Sequence, residues 1–318
     1  MTAAKVMDHL IPADDGVFYT RNDPNDIRFG DIVLRDIDQY STAQVVILGC
    51  PQDEGISRNR GRPGARFAPT EIRRDLYRYP VTQSHKHLVL MDLGDLKISD
   101  TLEKTHELLR QTVRRLIADG KKVIVLGGGN DISYPDCLAL SEETSQPLVF
   151  NVDRHLDVRA DTPRNSGTPY RQLLEEGIIQ PCMFHEFGIN SFANSPRYLE
   201  YVLNTGANIH YLGDLRAAGV GMSLRSIIDT ADPDGIFFGF DLDAVRSIEA
   251  PGVSDPGPMG FSAREVCEIA DVAASDPRTR IIEITEVCPE FDRDRLTSKL
   301  AANIIVRALA KETGEKIV

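Results

Sequence analysis

The chain has 318 residues, 42% of them hydrophobic and 26% charged, a balance expected of a soluble globular protein. Its formal net charge of −12 excludes a nucleic-acid partner, because binding phosphates needs a basic face. There is no apolar run of roughly 18 residues and no charged-then-apolar leader, so neither a membrane span nor a secretory signal is expected.

Residues 1–40 are polar, Asp-rich and weakly periodic, and are expected to form an N-terminal arm or surface loops. No linker-like tract or fixed-period repeat interrupts the rest, so residues 41–318 are expected to be a single domain. The five cysteines (Cys50, Cys137, Cys182, Cys267 and Cys288) are scattered and odd in number, without CxxC spacing. They read as reduced thiols of a cytoplasmic protein.

Apolar, β-branched runs then recur at Val45–Leu48, Leu88–Met91, Lys122–Leu126, Pro147–Val152, Ile209–Leu212, Gly235–Phe240 and Arg280–Thr285. Segments of helical period lie between most of them, among them Pro69–Tyr79, Leu102–Ala118, Ser262–Ala274 and Arg295–Ala310. Strands that are apolar throughout and alternate with helices predict a mostly parallel sheet covered on both faces, a three-layer, doubly wound α/β fold. A (β/α) barrel is the rival, disfavoured by the uneven spacing. In open sheets of this kind ligands gather beyond the carboxyl ends of the strands, so the residues after each strand carry the functional argument.

Lys122–Leu126 runs into Gly127-Gly128-Gly129-Asn130-Asp131, which fits neither a Walker loop nor GxGxxG. The glycines are better read as allowing close backbone approach. Pro147–Val152 runs into Asp153-Arg154-His155-Leu156-Asp157. Three potential ligands at every second position would share one side of an extended segment. Gly235–Phe240 runs into Asp241-Leu242-Asp243, again two carboxylates at i and i+2. Either cluster alone could be a solvated strand end, the first with a salt bridge to Arg154 or Arg159. Two clusters after two strands favour a cation, since carboxylates at the edge of a core repel and lose solvation. Four carboxylates and one imidazole suit a hard or borderline divalent ion such as Mn²⁺, and shared Asp oxygens would allow two ions, an arrangement that activates water at neutral pH. Glu286 stands after the last strand, followed by Val287-Cys288-Pro289; alone, such a residue is more often a surface or paired group.

These four elements, in this order, resemble those of the ureohydrolase (arginase/agmatinase) superfamily, with its GGDHS-, DAHxD-, SxDxDxxDP- and EVNP-like motifs. Arg62-Pro63-Gly64-Ala65-Arg66-Phe67-Ala68-Pro69 is similar to that family's RPGARFGP segment, and Ala250-Pro251-Gly252 to its APG loop. The likeness runs from about residue 45 onward and is greatest to the formimidoylglutamase branch. It implies an arginase-type fold and a metal-dependent hydrolase of linear amidines. Asp153, His155, Asp157, Asp241 and Asp243 would hold one or two Mn²⁺, with Asp153 and Asp241 bridging. Asp157 would orient water and carry its proton, and Glu286 would face the amidine of the substrate.

Three departures bear on these expectations. The first histidine ligand of the family falls at Asn130, whose carbonyl is a weaker donor than imidazole, so a second ion would be weakly held or replaced. Arg246-Ser247 stands where the family has Asp-Pro, which leaves the shape of that loop open. Asn165-Ser166-Gly167-Thr168-Pro169-Tyr170-Arg171 carries the SGTPxR form rather than the His-Gly of arginases, a resemblance that makes Asn165, Ser166 and Arg171 the expected substrate-binding residues. Arg171, with the arginine-rich loop Ser57–Arg62, would supply guanidinium forks for the carboxylates of formimidoylglutamate, which agmatine lacks. The expected reaction is hydrolysis of N-formimidoyl-L-glutamate to L-glutamate and formamide, a step of histidine degradation. The alternatives are another guanidino or amidino hydrolase, such as an agmatinase or guanidino-acid hydrolase, and a metal-poor pseudoenzyme serving as a binding or assembly protein. By resemblance the chain would assemble as a homo-oligomer, a trimer or hexamer.

Overall fold

The computed structural model describes residues 8–310. Among the described residues nine strands form one sheet: β1 (Leu10–Ile11), β2 (Val45–Gly49), β3 (Leu90–Leu96), β4 (Lys122–Leu126), β5 (Pro147–Val152), β6 (Phe184–Ile189), β7 (Asn208–Tyr211), β8 (Gly235–Asp241) and β9 (Thr279–Thr285). Their order across the sheet is β1-β3-β2-β4-β9-β8-β5-β6-β7. Eight strands run parallel and β1 pairs antiparallel with β3 at one edge.

Alternation along the central strands builds two cores. Val45, Ile47, Ile124, Leu126, Leu148, Phe150, Ile282 and Ile284 face helices Ala68–Leu76, Val220–Ala231, Ala263–Ser275 and Leu296–Ala308. The intervening residues Val46, Leu48, Val123, Val125, Val149 and Ile281 face helices Leu102–Ala118, Ser133–Ser141 and Pro169–Glu175. Each strand is therefore apolar on both sides, as a sheet covered by two helical layers requires. Among the described residues no helix is long and apolar enough to cross a membrane. Residues 8–40 pack onto this body: β1 extends the sheet, Phe29 and Val17 are buried, and Phe18 stacks on Tyr77.

β4 and β5 coincide with the apolar runs, whereas other elements differ for identifiable reasons. β3 runs past Met91 through Asp92 and Asp95, because buried Arg73 neutralises them at 2.8 and 2.5 Å. β6 has no apolar run to announce it. His185, Glu186 and Gly188 interrupt it, yet His185 meets His210 at 2.9 Å and Glu186 accepts from Asn151 at 2.9 Å. At β7 the sheet ends at Tyr211, and Leu212 already opens helix Leu212–Ala218.

The order of strands places the site. Consecutive strands β4 and β5 are separated by β9 and β8, so the chain direction switches at the middle of the sheet. Loops leave such a point in opposite directions and open a crevice at the carboxyl ends. The four strands that end there, β4, β9, β8 and β5, are neighbours, and each leads into one of the four polar motifs.

Candidate metal centre

Asp153 follows β5 directly and Asp241 closes β8; the two strands pair side by side, with Val152 opposite Phe240. Beyond them the chain is not extended. Asp153 Oδ1 accepts the His155 backbone N–H at 2.8 Å, and Asp241 Oδ1 accepts that of Asp243 at 2.9 Å. Each cluster is thus an Asp-closed turn, and the residues at i and i+2 converge because the backbone bends, not because an extended strand alternates. Asp157 completes the first cluster at φ +46°, a left-handed conformation that the surrounding loop holds in place. That loop is fastened from outside: Asn194 Oδ1 accepts from Leu156 N at 3.0 Å, and its amide donates to Arg154 O at 2.8 Å.

Two groups of ligand atoms result, Asp153–His155–Asp243 and Asp153–Asp157–Asp241, each with its atoms within 4.8 Å of one another. Asp153 belongs to both. Burial and mutual repulsion push the Asp157 carboxyl up to about 8 and raise those of Asp241 and Asp243. Glu286, buried behind them, is raised for the same reasons. Asp243 Oδ1 is buried, with His155 Nδ1 3.3 Å away. Carboxylates crowded in this way around one imidazole have the donor set of a divalent-ion site and fit hard or borderline ions such as Mn²⁺.

The turn after β4 forms the opposite wall. Gly128 is needed there because a Cβ would lie 2.2 Å from Gln52 O. Asn130 is buried; its backbone N–H donates to Glu286 Oε1 at 2.7 Å and its side-chain amide to Asp157 Oδ2 at 2.6 Å. Glu286 sits at φ +63°, left-handed like Asp157 and the cleft-lining Arg60 at +65°. On the outer rim, Asp255 lies 3.3 Å from His155 Nε2 and 2.7 Å from Arg154. These contacts hold its carboxyl down to about 2.

A cleft of about 610 Å³ opens over the cluster, lined among others by His155, Asp157, Asp241 and Asp243. Arg60 and Arg159 also line it; both are exposed, and among the described residues neither guanidinium makes an ion pair or hydrogen bond. Gly167 makes room for Arg159, since a Cβ there would meet its Cδ at 2.6 Å.

A model of the arginase family matches residues 43–310. The chain belongs to the arginase family. Among the relatives of this arginase-family protein is the formimidoylglutamase of Bacillus subtilis, 34% identical over 258 residues, covering 77% of this chain and 81% of the relative. The crystal structure of Trypanosoma cruzi formiminoglutamase with Mn²⁺ has a TM-score of 0.83 at 32% identity, covering 90% of this chain and 98% of that one. The crystal structure of the Bacillus subtilis formimidoylglutamase has a TM-score of 0.85 at 29% identity, covering 97% and 98%.

In this arginase-family protein Asp153, His155, Asp157, Asp241 and Asp243 meet at one place. Ser166 lines the cleft, with its hydroxyl accepting from Asn59 at 3.0 Å. Asn165 does not. It is buried and tied into its own loop, its carbonyl taken by Gly167 N at 2.9 Å and its amide by Asp161 at 3.2 Å. Arg171, expected at a substrate carboxylate, lies outside the cleft lining. It pairs with Glu175 at 2.8 Å one helical turn on and lies 4.1 Å over the Tyr201 ring. Arg58 is likewise engaged, by Glu54 at 2.5 Å and Glu103 at 2.7 Å. The turn at Arg246 is closed without Asp-Pro, by Glu249 N to Arg246 O at 2.9 Å and by the Arg246–Glu249 pair at 2.8 Å. Asp255 escaped sequence reasoning because nothing in Ser254-Asp255-Pro256 distinguishes it from a surface turn. Arg159, expected from the sequence as a salt-bridge partner of the acidic cluster, instead lines the cleft.

Proposed function

We propose that the protein hydrolyses N-formimidoyl-L-glutamate to L-glutamate and formamide with Mn²⁺ held by Asp153, His155, Asp157, Asp241 and Asp243. The observation that carries this reading is the cleft itself, which combines a crowded carboxylate cluster with two unpaired guanidinium groups. Such a pairing suits a substrate that carries an amidine at one end and two carboxylates at the other. Agmatine, a cation without a carboxylate, would gain nothing from Arg60 and Arg159.

When bound, the ions would supply Lewis-acid charge and lower the pKa of water. Asp153, common to both ligand groups, would be shared by the two ions, and Asp241 on the neighbouring strand would take the same part. Asp157, half-buried among the other carboxylates, takes a proton from the attacking water and returns it to the departing glutamate nitrogen. Glu286 stands behind the cleft lining, with its Oε1 accepting from Asn130 N at 2.7 Å and its backbone carbonyl from Ser254 N at 3.2 Å, and is assigned the charge that faces the amidine. Arg159 and Arg60 hold the substrate carboxylates, and Ser166 supplies a hydroxyl beside them. Water adds to the formimidoyl carbon, the C–N bond to glutamate breaks, and the amidine nitrogen leaves with the carbon as formamide.

A homo-oligomeric assembly, trimer or hexamer, and a cytoplasmic location belong to the same proposal. Light scattering tests the assembly. The activity is tested by following glutamate release from formimidoylglutamate before and after chelation. Release that depends on restored Mn²⁺ supports the assignment; absence of release from fully loaded protein overturns it.

A further inference from the structure

Arg154 stands where the DAHxD motif has alanine, and it brings a buried guanidinium to the edge of the metal centre. Its Nη2 donates twice to Asp255, to the backbone carbonyl at 2.8 Å and to Oδ2 at 2.7 Å. Gly257 leaves the space for this, since a Cβ there would lie 1.9 Å from Arg154 Nη1. The loop that carries Asp255 is fastened on both sides. Ser254 N donates to Glu286 O at 3.2 Å, Arg62 Nε donates to Ser254 O at 3.3 Å, and Ser247 N donates to Gly257 O at 2.7 Å. An exposed carboxylate is thereby held in one place, and the oxygen that accepts from Arg154 lies 3.3 Å from His155 Nε2.

The two ring nitrogens of His155 face different surroundings. Nδ1 points inward, 3.3 Å from Asp243 Oδ1 and 3.5 Å from Asp153 Oδ1, the other two members of its ligand group. Nε2 points outward, to Asp255. A neutral imidazole carries one proton, and a ring nitrogen can hold a cation only when it is bare. Nδ1 can therefore serve the group only if the proton sits on Nε2, where it needs an acceptor. A carboxylate at that point fixes the ring and makes the bare nitrogen the stronger ligand. Pairing with Arg154 alone does not account for the placement. A carboxylate turned away from the ring would neutralise the guanidinium equally well, and the shared Oδ2 is what the second contact adds.

We propose that Asp255 is a positioning residue: held by Arg154, it accepts the Nε2 proton of His155 and so presents a bare Nδ1 to the Asp153–His155–Asp243 group. The inference rests on the metal centre of the hydrolase reading above, and adds to it a carboxylate and an arginine that stand outside the ligand set. Asp255 acts through the ring, not as a ligand.

The test reads the ring proton and the ion separately. In protein loaded with Zn²⁺, a diamagnetic stand-in for Mn²⁺, NMR should show a His155 Nε2–H resonance, assigned by its loss in His155→Asn. Its exchange with solvent should be at least roughly tenfold faster in Asp255→Ala than in wild type. Calorimetric titration should show Mn²⁺ affinity lower by at least roughly tenfold in the same variant. Asp255→Asn, which keeps a neutral carbonyl acceptor, should fall between the two. Because Asp255 is exposed, neither variant leaves a cavity, and both should fold. Unchanged ring-proton exchange in Asp255→Ala, or equal Mn²⁺ affinity in Asp255→Asn and Asp255→Ala, would reduce Asp255 to a counter-charge and overturn the proposal. Wild type that takes up neither Zn²⁺ nor Mn²⁺ would overturn it as well. Failure of the hydrolase reading is seen separately, as Mn²⁺-loaded wild type that releases no glutamate while the His155 comparison holds.

Discussion

The side-chain amide of Asn130 donates to Oδ2 of Asp157 at 2.6 Å, joining the turn after β4 to the cluster after β5. The contact places residue 130 at the metal centre while turning its nitrogen, not its oxygen, toward it. Imidazole at this position would offer a ring nitrogen to the same point. Asn130→His is expected to raise the affinity for a second Mn²⁺, by at least roughly tenfold on the scale of a gained nitrogen ligand. Calorimetric titration of both proteins checks this, and identical stoichiometry and affinity would place residue 130 outside the ligand sphere.

Removing a carboxylate from the cluster should have opposite effects on function and stability. Asp241→Ala is expected to abolish turnover and weaken Mn²⁺ binding, because a carboxylate that in the proposed site would serve both ions is lost. In metal-free protein the milder Asp241→Asn relieves repulsion among buried acids and should raise Tm by at least roughly 2 °C. Mn²⁺ should then raise the Tm of wild type and leave that of the variant unchanged. Thermal scans with and without chelator provide the measurement; a variant less stable than metal-free wild type would contradict the crowding argument.

Recognition of the substrate carboxylates should reside in the unpaired arginines of the cleft. Arg159→Ala is expected to lower kcat/KM for formimidoylglutamate by at least roughly tenfold with unchanged metal content. Lys in its place should rescue only in part, since an ammonium cannot reproduce the planar fork. Arg171→Ala should cost about 0.5 kcal/mol of stability, the worth of an exposed i,i+4 pair, and keep its kinetics. The reverse ranking in steady-state kinetics would return the carboxylate site to Arg171.

Gly167 gives an independent test of where Arg159 lies. A methyl group there would press on the Arg159 side chain, which passes 2.6 Å from the Cβ position. Gly167→Ala should therefore raise KM for formimidoylglutamate while leaving Mn²⁺ affinity unchanged. An unaltered KM would mean that Arg159 does not act from this position.

How much of this was legible in the sequence depended on whether polar residues had local or distant partners. Lys122–Leu126 and Pro147–Val152 were readable because both of their faces are apolar. β6 was not, because its Glu186 and His185 are satisfied by Asn151 and His210, which are remote in sequence. The two acidic clusters were legible from their spacing, although the geometry that unites them is a turn closed by Asp153 and Asp241 rather than strand alternation. Arg171 illustrates the opposite error. It belongs to a telling segment, but helix Pro169–Glu175 aims it at Glu175, and only Ser166 and Gly167 of that segment reach the cleft or the arginine that lines it. Asn130 stands beside Asp157, whereas the direction of its amide depends on Ser133 and Thr285, which no local pattern announces.

The most direct test of the account compares kcat/KM of Mn²⁺-loaded protein for formimidoylglutamate, agmatine and arginine, measured side by side on one preparation. An anchored pair of carboxylates, worth on the order of 3 kcal/mol, predicts at least roughly a hundredfold preference for formimidoylglutamate over agmatine. Equal or greater turnover of agmatine or arginine by fully loaded protein would contradict it.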